Sequence, residues 1–306
     1  MLLRKKSSED LGVAGSIPVG RPIFLRRRTS RVPPGLHRQV VRLGCRDCMQ
    51  RFRIVTFNIA HGRGLSPFQG LHGRQRFQRN LRKIARLFNE LEPDIVALQE
   101  IDENSRWSGS FNHLDYLNVF ADFPHAVFGV NNRRTGGYHL NYGNAILSRH
   151  RIAAWENINF GARKVGEKGF LFAEIDVGGR LLPVVNIHLH YRSRVHRFRQ
   201  IEKLMEYLNA KREHRRTHWA APPILCGDLN NPSHRLDATA SLFHYFSLQG
   251  HYTLHPPQGV RTYPAPWPRR SLDFIFLPPV CRALHCQVVR CNLSDHRPVM
   301  VEFTLK

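Results

Sequence analysis

The sequence predicts an α/β protein built on large mixed β-sheets, and three observations predict it. Short apolar runs rich in β-branched and aromatic residues recur through residues 51–306. Only three stretches carry helical spacing, too few for the strict strand–helix alternation of a doubly wound parallel sheet. The apolar runs also tend to end in a residue that ionises or hydrogen-bonds. Pro223-Ile224-Leu225-Cys226, followed by Gly227-Asp228-Leu229-Asn230, shows the pattern: a buried strand delivers a carboxylate and a carboxamide, two residues apart and so on one face. By itself Gly-Asp-Leu-Asn describes an ordinary turn, but a carboxylate beside an amide also suits a hard cation or a water nucleophile.

Taken in order, residues 1–50 are Arg-rich, contain Pro33-Pro34, few acids and no sustained period, and are expected to form a disordered basic tail ahead of one domain over 51–306. Residues 51–60 (RFRIVTFNIA) alternate and predict a strand that ends at Asn58 and a Gly-punctuated loop. Phe77, Leu81, Ile84, Ala85, Phe88 and Leu91 recur at helical spacing on a basic helix over 76–91, stopped by Glu92-Pro93-Asp94. Ile95-Val96-Ala97-Leu98 is the next buried strand and delivers Gln99-Glu100. The same pattern returns at 143–148, with Asn144, and at 182–188, ending in His188. A helix is expected over 195–208, opened by Arg192, Arg194, Arg197 and Arg199, and a short one over 236–246. Strands at 272–277, carrying Asp273, and 299–303, entered through Ser294-Asp295-His296-Arg297-Pro298, complete the domain.

Composition narrows the function classes. With 42% apolar residues, 306 residues can bury a substantial core. The 46 Lys and Arg against 23 Asp and Glu, a formal charge of +23, predict anionic partners: nucleic acid, phosphorylated small molecules or an anionic membrane face. No apolar run approaches the ~18 residues that span a bilayer. Arg4-Lys5-Lys6 follows the first three residues with no apolar stretch after it, so no secretory signal is expected. Six cysteines in a chain of this length do not form a dense disulfide framework, which favours a reducing, cytoplasmic setting. Cys45 and Cys48 have half the spacing of a zinc site, with no second pair nearby. A monomer is expected.

The strand ends carry Asn58, Glu100, His188, Asp228, Asn230, Asp273, Asp295 and His296. Each has an ordinary explanation alone, as a turn, a cap or a satisfied core histidine. Together they demand another, because a desolvated, unpaired carboxylate costs several kcal/mol.

These residues lie in seven ordered motifs: TFNIAHG, ALQE, YGNAILS, NIHLH, CGDLN, SLDFIF and SDHRPV. In order and spacing they resemble the endonuclease/exonuclease/phosphatase (deoxyribonuclease I-like) superfamily, of the small bacterial type, over residues 51–306. The resemblance implies a four-layer sandwich of two mixed β-sheets flanked by helices, with an active site at one end. It implies that Glu100 is the principal Mg²⁺ ligand, with Asn58 beside it and Asp295 on or near the metal, and that Mn²⁺ can substitute. Asp228 and Asn230 would orient or deprotonate the attacking water and hold the phosphate. His296 would pair with Asp273, His188 would contact the phosphate or assist the leaving group, and Asn144 and Tyr142 would add phosphate contacts. The residue types agree with this chemistry: carboxylates with Asn are oxygen ligands that Mg²⁺ accepts, and an Asp-to-His hydrogen bond favours a charged imidazole. Without a cation Glu100 and Asp295 should repel, so the metal-free protein is expected to be less stable there.

The substrate is less specified. Loop 61–73, Arg133-Arg134, Arg163-Lys164, the 192–199 cluster and Arg269-Arg270 would make the cleft positive, and Tyr263 or Trp267 could stack on a base or lie on lipid. Residue 60 is Ala rather than the Asp expected of an apurinic endonuclease, and no long DNA-binding insertion stands out. The expected activity is therefore a metal-dependent phosphodiesterase or phosphatase acting on a lipid headgroup or another phosphorylated small molecule. A metal-dependent nuclease on DNA or RNA is the alternative, and a non-catalytic anion-binding protein the third.

Overall fold

A computed structural model describes residues 50–161, 166–215, 219–231 and 238–305. The basic tail expected at 1–50 lies outside the described residues except for Gln50, as do Arg163, Lys164 and Leu236. In chain order the elements are β1 (Arg51–Asn58), α1 (Arg74–Leu91), β2 (Ile95–Asp102), α2 (His113–Ala121), β3 (His125–Arg134), β4 (Leu140–Ser148), β5 (Ile152–Asn159) and β6 (Gly169–Asp176). There follow β7 (Leu181–His188), α3 (Arg194–Arg215), β8 (Ile224–Asp228), α4 (Ala238–Gly250), β9 (Thr253–His255), β10 (Asp273–Leu277), β11 (Cys281–Val288) and β12 (Val299–Leu305).

The strands form two six-stranded sheets, ordered β11-β12-β1-β2-β4-β3 and β5-β6-β7-β8-β10-β9. At the middle of each lies one parallel pair, β1–β2 and β7–β8, while the other neighbours are antiparallel. A parallel pair needs a crossover, and α1 and α3 provide it. The two halves repeat the same path: strand, helix, strand, helix, then two strands in the same sheet. The closing pair, β5 and β6 or β11 and β12, then joins the opposite sheet.

Strand alternation explains the four layers. In β1, Phe52 and Ile54 pack between the sheets against Val184, Ile224 and Ile275. Val55 and Phe57, pointing the other way, meet Phe77, Leu81, Ile84 and Phe88 of α1 and Leu114 and Leu117 of α2. In the second sheet Val185, Ile187, Leu225, Phe274 and Phe276 pack under Ile201, Leu204 and Leu208 of α3 and Leu242 and Phe246 of α4. Burial on both faces is why the central strands read as continuous apolar runs. Each buried Leu, Ile or Phe contributes roughly 1.5–3 kcal/mol, so the middle of the sandwich dominates stability.

Where burial is one-sided the sequence signal fades. β3, β5, β9 and β11 alternate with exposed residues or are very short, and β6 is interrupted by Glu174, so none stood out in the sequence. The short α2 was missed too, although Asn112 caps it by accepting from the Leu114 and Asp115 amides. Among the described residues no helix is long and apolar enough to cross a membrane.

Close approach of the backbones fixes Gly227. Gly227 has φ +145°, and a Cβ there would lie 1.9 Å from the Ile187 carbonyl oxygen of the parallel neighbour. Gly227→Ala must push β8 away from β7 just before Asp228. We expect it to destabilise the protein by about 2–4 kcal/mol; a thermal melt within a degree of wild type would contradict this packing.

Candidate active site

Two rows of polar residues meet at one end of the space between the sheets. In the first sheet Asn58, Gln99 and Asn144 stand in register across β1, β2 and β4; in the second, His188, Asp228 and Asp273 do so across β7, β8 and β10. Alternation places them on the same faces as Ile54, Ala97, Ile146, Val184, Cys226 and Ile275 of the inter-sheet core. Gln99 donates to Thr56 Oγ1 (3.0 Å) and Asn186 Oδ1 (2.7 Å), and Asn186 donates to the Leu98 and Ala145 carbonyls (2.8 and 2.9 Å). This amide floor separates the apolar core from the ionisable groups beyond it.

Asp228 is the centre of the second row. Its Oδ2 accepts from Asn58 Nδ2 at 2.9 Å and its Oδ1 from the Asn230 amide at 2.8 Å, while His188 Nε2 and His296 Nε2 stand 3.4 and 3.7 Å from Oδ2. Burial pushes this carboxyl up to about 7; His296 opposes the shift, and the neighbouring Asp273 adds to it. Asn230 holds a left-handed backbone (φ 48°) that turns its amide back to the Leu189 carbonyl (2.9 Å) and His188 Nε2 (3.0 Å).

His296 enters from the loop before β12. Its Nδ1 lies 2.9 and 3.0 Å from the two Asp273 oxygens, and Thr262 Oγ1 donates to Asp273 Oδ2 at 2.6 Å. Burial alone would discharge the ring, but Asp273 and Asp228 outweigh it and raise His296 to about 10. Ser294 Oγ donates to the Asn58 carbonyl (2.7 Å), tying this loop to β1.

Glu100 reaches the site through a bulge. It is the extra residue between the Gln99–Asn144 and Ile101–Gly143 pairs, with a left-handed backbone (φ 53°) that costs a non-glycine residue of order 1–3 kcal/mol. Its Oε1 accepts from Lys168 Nζ at 3.1 Å, and Oε2 lies 3.5 Å from His61 Nε2. Burial would raise this carboxyl, yet Lys168, His61 and His188 hold it well below the usual carboxylate range. Asp295 Oδ2 accepts from Arg63 at 2.7 Å. The repulsion expected between Glu100 and Asp295 is therefore met by the chain's own cations. A second Asp–His pair stands beside them: His61 Nδ1 lies 2.8 Å from Asp102 Oδ2, under the rings of Trp107 and Tyr142. His188, by contrast, is held neutral by burial and by Lys168 at 3.3 Å.

A cavity of about 410 Å³ opens over these groups, lined by Asn58, Glu100, Tyr142, Asp228, Asn230, Asp295 and His296 together with Lys168, His61, Trp107, Arg63, Tyr191, Tyr263 and Arg270. His188 and Asp273 stand behind them, touching Asn230 and His296. Asn144 does not come to the cavity. It is fully buried, and its Nδ2 faces the Gly169 and Asn186 carbonyls (3.2 and 3.4 Å), so it braces the two sheets rather than contacting phosphate. Tyr142 forms a wall, its hydroxyl accepting from the Gly166 amide at 3.0 Å. Of the basic residues expected around a cleft, Arg270 lines it, and so does Arg63 from the first loop; Arg197 instead donates to the His190 carbonyl at 3.0 Å.

Lys168 and His61 were not singled out in the sequence. Lys168 immediately precedes β6, a strand without a clear sequence signal; His61 lies inside TFNIAHG, in a stretch that reads as loop. Asp228, Asp273 and His296 also bring ligand atoms within 4.8 Å of one another. There, however, both Asp273 oxygens face His296 Nδ1 and one also accepts from Thr262, so a charged imidazole already fills the place a metal would take.

Two mixed sheets packed face to face, with carboxylates and histidines gathered at one end, define a class of hydrolases acting on phosphate esters. The chain belongs to the endonuclease/exonuclease/phosphatase family, whose pattern matches residues 55–296. It is 27% identical over 274 residues to the uncharacterized protein YbhP of Escherichia coli (strain K12), covering 83% of this chain and 96% of that one. Among solved structures it is similar to the mannosyl-6-phosphatase Bt3783 of Bacteroides thetaiotaomicron VPI-5482 (TM-score 0.63, 15% identity, 83% of this chain and 100% of that one). It is also similar to sphingomyelinase C of Streptomyces griseocarneus (TM-score 0.56, 21% identity, 83% and 99%). At these identities the likeness is one of fold.

The His296–Asp273 pair has a pH signature. A histidine raised to about 10 in the folded protein contributes stability that is fully present below its unfolded pKa of roughly 6.5 and is lost as pH rises through about 10. In EDTA, the melting-temperature gap between wild type and Asp273→Asn is expected to be widest below pH 6.5 and to close toward pH 10. A gap independent of pH would remove the charged-pair assignment.

Proposed function

We propose that the chain is a divalent-metal-dependent phosphoester hydrolase in which Asp228 takes the proton of the attacking water, and that it acts on a lipid headgroup or comparable phosphorylated small molecule. The observation that carries this is Asp228 itself. A buried carboxyl near 7, facing a cavity and set beside a cationic imidazole, is matched to proton transfer at neutral pH.

The chain's own residues supply most of the chemistry. Asn58 and the Asn230 amide fix the Asp228 carboxylate, so that it meets a water in one orientation. His296, kept cationic by Asp273, and the Asn230 side chain are donors placed for oxygens that gain charge as the ester bond breaks. His188 stays neutral and holds Asn230. Glu100, Asp295 and the Asn58 carboxamide are hard oxygen donors facing one cavity, which fits Mg²⁺, or Mn²⁺ in its place. When bound there, the ion would act as a Lewis acid on a phosphoryl oxygen.

The loops that form the cavity support a lipid substrate. Loops that supply cavity residues also carry exposed apolar side chains: Phe68 (63% exposed) and Leu71 (68%) follow Arg63, and Trp267 (79%) lies between Tyr263 and Arg270. Gly70, between Phe68 and Leu71, sits against Trp107 of the cavity wall. Apolar tips beside arginines suit an interface with anionic headgroups, while the cavity's own rings, Trp107, Tyr142, Tyr191 and Tyr263, would serve either reading. The mannosyl-6-phosphatase and the sphingomyelinase show by their names that this fold carries both sugar-phosphate and sphingolipid chemistry.

Purified protein with Mg²⁺ should hydrolyse bis-p-nitrophenyl phosphate slowly, lose the activity in EDTA and regain it with Mn²⁺. Glu100→Gln and Asp228→Asn should each lower turnover by roughly 10²-fold or more with an unchanged circular dichroism spectrum. No turnover with any divalent ion would leave an anion-binding protein. Plasmid nicking without cleavage of phospholipid vesicles would replace the lipid reading with a nuclease.

A further inference from the structure

Lys168 is a buried cation at the site without a role so far. It is only 8% exposed, its ammonium lies 3.1 Å from Glu100 Oε1 and 3.3 Å from His188 Nδ1, and it lines the reaction cavity. Lysine is seldom buried to this degree unless a charge holds it. The residue is anchored by its backbone: its carbonyl accepts from the Phe160 amide at 3.0 Å and its own amide donates to Glu167 Oε1 at 3.3 Å. The side chain, four carbons of rotatable stem, can therefore leave Glu100 without disturbing the strand.

We propose, building on the metal-dependent reading above, that Lys168 is a movable counter-cation. It holds Glu100 until a divalent ion takes that carboxylate, and it then moves onto the substrate phosphate. An ammonium on Oε1 and a divalent cation on the same half-buried carboxylate repel each other strongly at that distance, so one weakens the hold of the other. Glu167, next in sequence, faces a different cavity with His190, Arg199 and Lys203, and the other carboxylates at this site offer the displaced ammonium little. Asp295 has Arg63, Asp102 has His61, and Asp273 has His296, while Asp228 is already ringed by Asn58, Asn230, His188 and His296. A phosphate in the cavity is the remaining strong anion within the reach of its stem. Metal and phosphate then bind cooperatively: the metal releases the ammonium that the phosphate takes up, the phosphate draws it off the carboxylate that the metal needs, and by linkage the factor is the same in both directions.

The test is calorimetric titration of the whole chain with Mg²⁺ or Mn²⁺, alone and with inorganic phosphate. In Lys168→Met the ion should bind alone about 5–10-fold more tightly than in wild type, while phosphate binds about 10-fold more weakly and the metal–phosphate coupling falls. Lys168→Arg, which keeps the charge, should retain wild-type metal affinity. A purely structural role would not tighten metal binding, so a folded Lys168→Met with unchanged or weaker metal affinity overturns the proposal. A second readout uses wild type alone, with reductive methylation of Lys168 followed by mass spectrometry. Mg²⁺ should raise the labelling and added phosphate should suppress it; labelling indifferent to Mg²⁺ overturns the proposal even if the Met variant does not fold. If wild type binds neither ion, the metal-dependent reading falls and this inference falls with it, whereas normal metal binding without the Lys168 effect removes this inference alone.

Discussion

The rest of the structure depends on neutralising carboxylates that the fold forces together out of water. Glu100, Asp102, Asp228, Asp273 and Asp295 gather at one end of the inter-sheet space, and burying any of them unpaired would cost several kcal/mol. Lys168, His61, His296 and Arg63 answer four of the five in direct pairs. Asp228 has no dedicated cation and shares His296 with Asp273, and it is the carboxyl whose affinity for a proton rises. The group proposed to do the chemistry is thus the one left incompletely compensated.

Topology makes this gathering possible. The carboxyl ends of the two central parallel pairs open at the same end of the sandwich, so residues at the ends of β1, β2, β7 and β8 meet although they are spread from 58 to 230 in sequence. The hairpin exchange between sheets then brings the loop before β12 across the opening, and Ser294 ties it to Asn58. The amide floor of Gln99 and Asn186 beneath these groups lets an ionisable layer lie directly on an aliphatic one. Its hydrogen bonds terminate in backbone carbonyls and side-chain oxygens rather than in the charges above.

Much of this was legible in the sequence, for reasons that differ by residue. The central strands could be read because burial on both faces gives uninterrupted apolar runs, as in Ile95-Val96-Ala97-Leu98, and the site residues because they end such runs. Edge strands such as β5 and β11 could not, since half their side chains face water and the pattern dilutes. Asn144 shows the limit of strand-end logic: it stands in register with Asn58, yet the Gly169 carbonyl roofs it over, and register alone does not reveal depth. Lys168 and His61 depend on where a strand begins and on a left-handed turn (φ 56° at His61), and neither leaves a periodic trace.

The pairing of β1 with β12, Arg51 opposite Thr304 through Thr56 opposite Val299, has a consequence for synthesis. β1 waits for the much later β12 before this edge is paired, and until then it shows unpaired backbone to solvent or to a chaperone. His296 arrives with that same final segment. A nascent chain that has not reached β12 has neither this edge paired nor the His296 imidazole beside Asp228, so closing the sheet and assembling the candidate site coincide.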